Sequence, residues 1–305
     1  MAKKPTFRAV AEEWYARWRV QREPSYAVES WRQLEREALP WLGDKPVHKV
    51  TAPQILEPLR RIEARGVRLP VIKTRGHISQ IYRYAIACGY AMSDPARDLG
   101  FALIPHKSTP HAAILDPQKI GHLMRQINEC RARQRRLSLL LMAFTFVRAG
   151  ELASAEWADI HWDDRLWQIP AAKMKMKRPH DVPLSRQALW VLREQQKVAG
   201  GGSWVWPCRW DKSRHEQGAS LNHALRRLGY VKGEMTTHGF RAMAATMLSE
   251  QGWPSDVIER QLAHIDSNRV RAAYQRSTLL EERARMMQAW ADWLDARTAA
   301  AILGR

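Results

Sequence analysis

His238-Gly239-Phe240-Arg241 places an imidazole and a guanidinium three residues apart, a spacing that puts both on one face of a helix, where two donors can converge on one phosphate. By itself the pair carries little weight. The same spacing recurs at His122 with Arg125 and at His223 with Arg226, as chance allows in a chain with 11 histidines. Other segments give it company. In Thr145-Phe146-Val147-Arg148-Ala149-Gly150-Glu151-Leu152, Arg148 leaves the end of an apolar helix and Glu151 follows one turn later. A carboxylate there can orient a buried guanidinium, although a surface ion pair is the plainer alternative. Lys173, Lys175 and Lys177 alternate with Met174 and Met176 ahead of Arg178-Pro179-His180-Asp181-Val182-Pro183-Leu184-Ser185. In a hairpin all three ammonium groups would point one way, toward a phosphate backbone. Gln261-Leu262-Ala263-His264 and then Tyr274 complete the set. For His264 the alternative is a satisfied core histidine, and for Tyr274 a half-buried packing residue.

The elements that must position these groups are mostly helices. Thr6 is a plausible N-cap for a helix to about Arg22, with Phe7, Val10, Ala11, Trp14 and Trp18 on one apolar face. Pro24 and Ser25 open a second helix that stops near Gly43, Thr51 starts a third that ends at Gly66, and a fourth runs from about Pro70 to Cys88. On this last helix Lys73, Arg75, His77 and Arg83 are candidate phosphate contacts. Leu103 to Ala113 has no periodicity and reads as a linker, which divides the chain into residues 1–104, a linker 105–113, and residues 114–305. Asp116 and Pro117 begin the next helix, and Leu139 to Phe146 forms a short apolar one that delivers Arg148. Trp157 to Ser185 breaks into short β-rich pieces, as a small antiparallel sheet would. Ala199 to Gln217, with three successive glycines, reads as a mobile loop. An amphipathic helix at the C-terminus carries Leu280, Met287, Trp290 and Leu294, and either packs on its own domain or docks on a neighbour.

Charge says what the partner is. The 305 residues carry 49 Lys plus Arg against 31 Asp plus Glu, a net +18, with an ordinary 45% hydrophobic content. The excess therefore sits on a folded object, and a polyanion is its expected partner. Residues 1–107 hold 19 basic and 11 acidic side chains and the remainder 30 and 20, so both parts are basic. Cys88, Cys130 and Cys208 stand far apart, which argues against a disulfide framework or a thiolate metal site and fits a reducing, cytoplasmic address. The sequence shows neither an apolar signal core nor the ~18-residue apolar stretch of a membrane span.

Taken in order, these segments resemble the tyrosine recombinase, or phage integrase, family over nearly the whole chain. The likeness is closest to the satellite-phage and prophage-island type, through Met174 to Ser185, His238 to Arg241, and Val270-Arg271-Ala272-Ala273-Tyr274 ahead of Glu281-Glu282-Arg283. It implies a mainly α fold with a small antiparallel sheet: a helical, SAM-like core-binding domain and a mixed α/β catalytic domain, closing as a clamp on duplex DNA core sites. It also implies roles. Tyr274 is the nucleophile that forms a 3′-phosphotyrosyl link, and Arg148 and Arg241 clamp the phosphate. Lys175 protonates the leaving 5′ oxygen, His238 assists proton transfer, and His264 holds the phosphate or the tyrosine. Glu151 supports Arg148, while Lys173, Lys177 and Arg178 touch DNA backbone. No metal, ATP or other cofactor is implied.

The family works as a homotetramer on DNA with its C-terminal helix exchanged between protomers, at times with DNA-bending accessory proteins, in the bacterial cytoplasm at the nucleoid. Ala263 departs from the glycine that often precedes the second histidine. The arm-binding N-terminal domain usual in this branch is not seen ahead of the core-binding segment, so the chain is either truncated or acts on simple core sites. The expected activity is integration and excision of a mobile element. The alternatives are an arm-less invertase or resolvase, and a DNA-binding protein that has lost the reaction.

Overall fold

The computed structural model describes residues 5–105, 112–174, 177–264 and 278–304. The chain forms two compact units, Met1–Thr109 and Pro110–Arg305. Tyr274 and Lys175 lie outside the described residues, as does most of the expected linker.

The first unit is a set of helices: α1 (Phe7–Trp18), α2 (Pro24–Glu37), the single turn α3 (Leu39–Leu42), α4 (Ala52–Ala64) and α5 (Arg68–Ala87). Their starts follow from local chemistry. The Thr6 hydroxyl accepts from the Ala9 amide at 3.3 Å, Pro24 sits in the first turn of α2, and the Gln54 side chain accepts from the Thr51 amide at the head of α4. Phe7, Val10, Leu34, Leu59, Ile62, Ile78 and Ile81 are sealed from solvent. Between α2 and α5 the buried Gln33 amide donates to Thr74 Oγ1 and to the Pro70 carbonyl, both at 2.8 Å, and so fixes their register.

The second unit begins with α6 (Pro117–Asn128), α7 (Arg133–Thr145) and the short α8 (Ala149–Ala153). Leu137 to Thr145 is buried on every side, as expected of a helix apolar all round at the centre of a core. Three antiparallel strands follow, β1 (Ile160–His161), β2 (Leu166–Ile169) and β3 (His180–Pro183), ordered β1-β2-β3 with Trp167 opposite Val182 and Ile169 opposite His180. Helices α9 (Arg186–Ala199), α10 (Ala219–Arg227), α11 (Gly239–Glu250), α12 (Ser255–Gln261) and α13 (Leu280–Ile302) complete it. The fold is thus mainly helical with one small sheet. Among the described residues no helix is long and apolar enough to cross a membrane.

Of the two placements expected for the C-terminal helix, α13 in the single chain packs on its own unit. Met286, Trp290, Ala291 and Leu294 are fully buried, and Trp290 Nε1 donates to the Ala143 carbonyl of α7 at 2.9 Å. Against α6 it packs so closely that a Cβ at Gly121 would meet the Arg297 carbonyl oxygen at 2.4 Å. One expectation is corrected here: the stretch from Ala199 to Gln217 is no free loop at its centre. Val205 and Trp206 are buried, the Val205 amide donates to the Ala155 carbonyl at 2.9 Å, and the Gln195 amide donates to the Val205 carbonyl at 2.8 Å. The glycines mark a turn, while the apolar residues behind them seek the core.

Candidate active site

The site starts at a break. Helix α7 ends at Thr145, and Phe146, fully buried, takes the left-handed backbone (φ 40°) that a non-glycine residue adopts only at a cost. This turn sends Arg148 to the head of α8. There Glu151, 4% exposed, accepts from the Arg148 amide at 2.9 Å and from its Nη1 at 2.7 Å. One carboxylate therefore holds both backbone and guanidinium.

Arg241 enters from the first turn of α11. It is 4% exposed; Nη1 donates to the Phe146 carbonyl at 2.8 Å and Nη2 to the Leu262 carbonyl at 2.6 Å. Burial, reinforced by the like charge of Arg148, pushes its pKa down to about 10, which still leaves it charged at neutral pH. The His264 ring lies beside it, Nε2 3.3 Å from Arg241 Nη2 and Nδ1 2.7 Å from Glu259 Oε2. With its δ-proton donated to Glu259, a neutral His264 turns its Nε2 lone pair toward Arg241. His238 is the exposed N-cap residue of α11, one turn before Arg241.

Arg148, Glu151, Arg241 and His264 are therefore brought together by α8, α11 and the end of α12, with the strained Phe146 as their hinge. Arg148 and Arg241 are close enough for the charge of one to lower the pKa of the other, with Glu151 and Glu259 as the carboxylates that partly offset it.

The other candidates fare differently. His77 is corrected: it is 4% exposed and packed on Trp14 and Trp18, with ring centroids 5.9 and 5.5 Å away, so it is core and not a phosphate contact. Lys173 is also corrected. It closes a 3-10 turn and pairs with Glu156 and Asp159 at 2.7 and 2.6 Å, so its charge is spent inside the protein. The even lysine alternation does not survive either, because Lys177 has a left-handed backbone (φ 52°) in place of an extended one. Lys177 and Arg178 are exposed, as are Lys73 and Arg83, while Arg75 donates to the Arg97 carbonyl at 3.1 Å. Two further residues touch the site, Phe146 and Glu259. Phe146 had no signal beyond ending an apolar run. Glu259 did, since it stands five residues before His264 at the end of a helix.

The second unit is thus mainly helical with a small sheet and brings two arginines and a histidine side by side. Residues 7–102 match the phage integrase central domain and residues 113–280 the phage integrase family. The chain is 34% identical over 304 residues to the prophage integrase IntA of Escherichia coli (strain K12), covering 99% of this chain and 73% of that protein. It is 35% identical over 309 residues to the integrase of Enterobacteria phage P4, covering 95% and 69%. A lambda integrase tetramer bound to a Holliday junction has the same fold, with a TM-score of 0.71 at 17% identity, over 91% of this chain and 79% of that one. The chain belongs to the phage integrase family, as a tyrosine-type site-specific recombinase that cleaves and rejoins DNA.

Proposed function

We propose that Tyr274 is the nucleophile of this recombinase and that Arg148 and Arg241 clamp the scissile phosphate. The observation that carries this reading is the convergence of the two guanidiniums at the Phe146 hinge, each oriented by the protein before any substrate arrives. The tyrosine count supports it. Of the seven tyrosines only Tyr230 and Tyr274 belong to the unit that holds the arginines. Tyr230 is buried, which pushes its hydroxyl up to about 12, so it is a poor nucleophile.

The step balances without a co-reactant. The Tyr274 phenol oxygen forms a bond to phosphorus as the bond from phosphorus to the 5′ oxygen breaks, giving a 3′-phosphotyrosyl link and a 5′-hydroxyl. The phenol proton leaves with the help of His238, and Lys175 donates a proton to the departing 5′ oxygen. Arg148 and Arg241 neutralise the non-bridging oxygens while charge develops on them, and His264, which accepts from Arg241, helps hold that guanidinium in place. Rejoining runs the same step backward with another strand's 5′-hydroxyl.

The substrate in this reading is a duplex core site held by both units, the first (1–104) as the core-binding domain and the second (114–305) as the catalytic one, with 105–113 between them. Lys73, Arg83, Lys177 and Arg178 are exposed and available to the DNA backbone, and the net +18 predicts affinity that falls steeply with salt. The assembly is a tetramer on DNA, acting on a mobile element in the cytoplasm, at the nucleoid and with DNA-bending proteins where the sites require them.

The test is a nicked suicide duplex carrying the core site, incubated with wild type and Tyr274→Phe in EDTA and resolved on a denaturing gel. A covalent band with wild type that is absent with Tyr274→Phe supports the reading. Binding by both proteins without a band from either identifies a DNA-binding protein and overturns it.

A further inference from the structure

Arg283 stands one turn into α13 on the inward stripe with Met286, Met287 and Trp290, and is 3% exposed. All the acceptors recorded for it are neutral. Its Nε and Nη2 donate to Gln261 Oε1 at 3.0 and 2.7 Å, Nη2 also bonds the Asp181 carbonyl, and Nη1 reaches the Thr278 carbonyl at 3.4 Å. Among the described residues no carboxylate hydrogen-bonds to it, and the Asp181 charge favours its charged form only through space. Gln261 is gripped a second time, because His180 of β3 bonds its backbone carbonyl through Nε2 at 3.1 Å. Burying a guanidinium with no carboxylate hydrogen-bonded to it is a costly way to hold a fold, and an apolar side chain of similar volume is often neutral or better.

What this cluster holds is the last turn of α12. The next residue, Leu262, presents the carbonyl that accepts from Arg241 Nη2, and His264 two residues on presents the ring beside the same nitrogen. Strand β3 and helix α13 thus meet on Gln261, and Gln261 begins the turn on which Arg241 rests.

We propose that Arg283 is a positioning residue for strand cleavage, acting through Gln261 to set the turn that aligns Arg241 and His264 on the scissile phosphate. The proposal rests on the reading of Arg241 as a phosphate clamp. Its signature is chemical. A misplaced clamp matters where the phosphate is charged, so a methylphosphonate at the scissile position, which carries no negative charge, should hide much of the defect. A general loss of folded protein would slow both substrates alike.

The experiment measures covalent-complex formation at saturating DNA on phosphodiester and methylphosphonate suicide duplexes, alongside DNA affinity and thermal unfolding. Wild type, Arg283→Lys and Gln261→Leu are compared. Lysine keeps the charge but cannot bridge Gln261 and Asp181 together. Leucine removes the acceptor and leaves the bond from Arg283 to Asp181 in place, so it carries the test if Arg283→Lys does not fold. The expected result is a ~10–100-fold slower reaction on the phosphodiester, as for a displaced catalytic group, a loss several-fold smaller on the methylphosphonate, and DNA affinity close to wild type. Equal losses on both substrates, or wild-type rates in both variants, would overturn the proposal. If wild type itself forms no covalent complex, the clamp reading fails first and the proposal falls with it.

Discussion

At Ala263 the backbone is left-handed (φ 49°), a conformation in which an L side chain crowds the adjacent carbonyl. The frequent glycine at this place in the family thus has a physical cause, and this chain carries the strain beside its second histidine. Ala263→Gly is expected to stabilise the second unit by about 1 kcal/mol, read as a rise of ~2–4 °C in its thermal transition. Glu151 makes a different prediction. Its carboxylate holds Arg148 by amide and guanidinium together, and glutamine keeps an acceptor while losing the charge. Glu151→Gln should leave DNA affinity nearly unchanged and slow cleavage at saturating DNA by ~10–100-fold, the scale of a misplaced catalytic group. Unchanged cleavage would mean that the pair holds the fold and does not position Arg148 for the reaction. At this scale type and order in the sequence singled out Arg148, Glu151, Arg241 and His264, which the fold brings side by side. The sequence misassigned His77, because a histidine between an isoleucine-rich face and a basic one looks alike from either side, and only packing against Trp14 and Trp18 decides.

The packing of α1 on α5 carries a pH dependence through that same histidine. Burial, with Lys73 and Arg22 adding repulsion, pushes the His77 pKa from 6.5 down to about 4. The unfolded chain therefore binds the extra proton first as pH falls, so the stability that neutral His77 permits is complete above pH 6.5 and is lost toward pH 4. The loss amounts to at most about 3 kcal/mol. Unfolding measured between pH 7.5 and 4.5 should show wild type losing more stability than His77→Leu; parallel losses would place the sensitivity elsewhere. The C-terminal helix gives a second test at this scale. Trp290 fills the centre of the second unit, and Trp290→Ala should lower its unfolding free energy by ~3–5 kcal/mol, seen as a lower urea midpoint. A helix free to leave for a neighbour would lose little. Its amphipathic spacing was plain in the sequence, but periodicity names the buried face and not what covers it. The lysine alternation failed for the related reason that a period of two implies one face only where the backbone is extended, and Lys173 sits in a 3-10 turn.

Across the whole molecule the sequence disclosed two basic parts, and the structure resolves two compact units, each with its own sealed core. Helix starts were legible wherever a capping residue met an apolar stripe, as at Thr6, Thr51 and Asp116. The interior of residues 200–217 was not, since short apolar pairs such as Val205-Trp206 have no period to read. The convergence of Arg148 with Arg241 needed the fold, because it depends on one strained residue, Phe146, whose carbonyl joins segments that stand far apart in the chain.

If these groups serve Tyr274, the chemical identity of the covalent link reveals it. The complex trapped on a suicide core-site duplex would be digested with nuclease and trypsin and analysed by mass spectrometry. The tryptic peptide Ala272-Ala273-Tyr274-Gln275-Arg276 is expected to carry a nucleotide on the tyrosine oxygen through its 3′ phosphate. Attachment to any other residue, or through a 5′ phosphate, would contradict Tyr274 as the nucleophile.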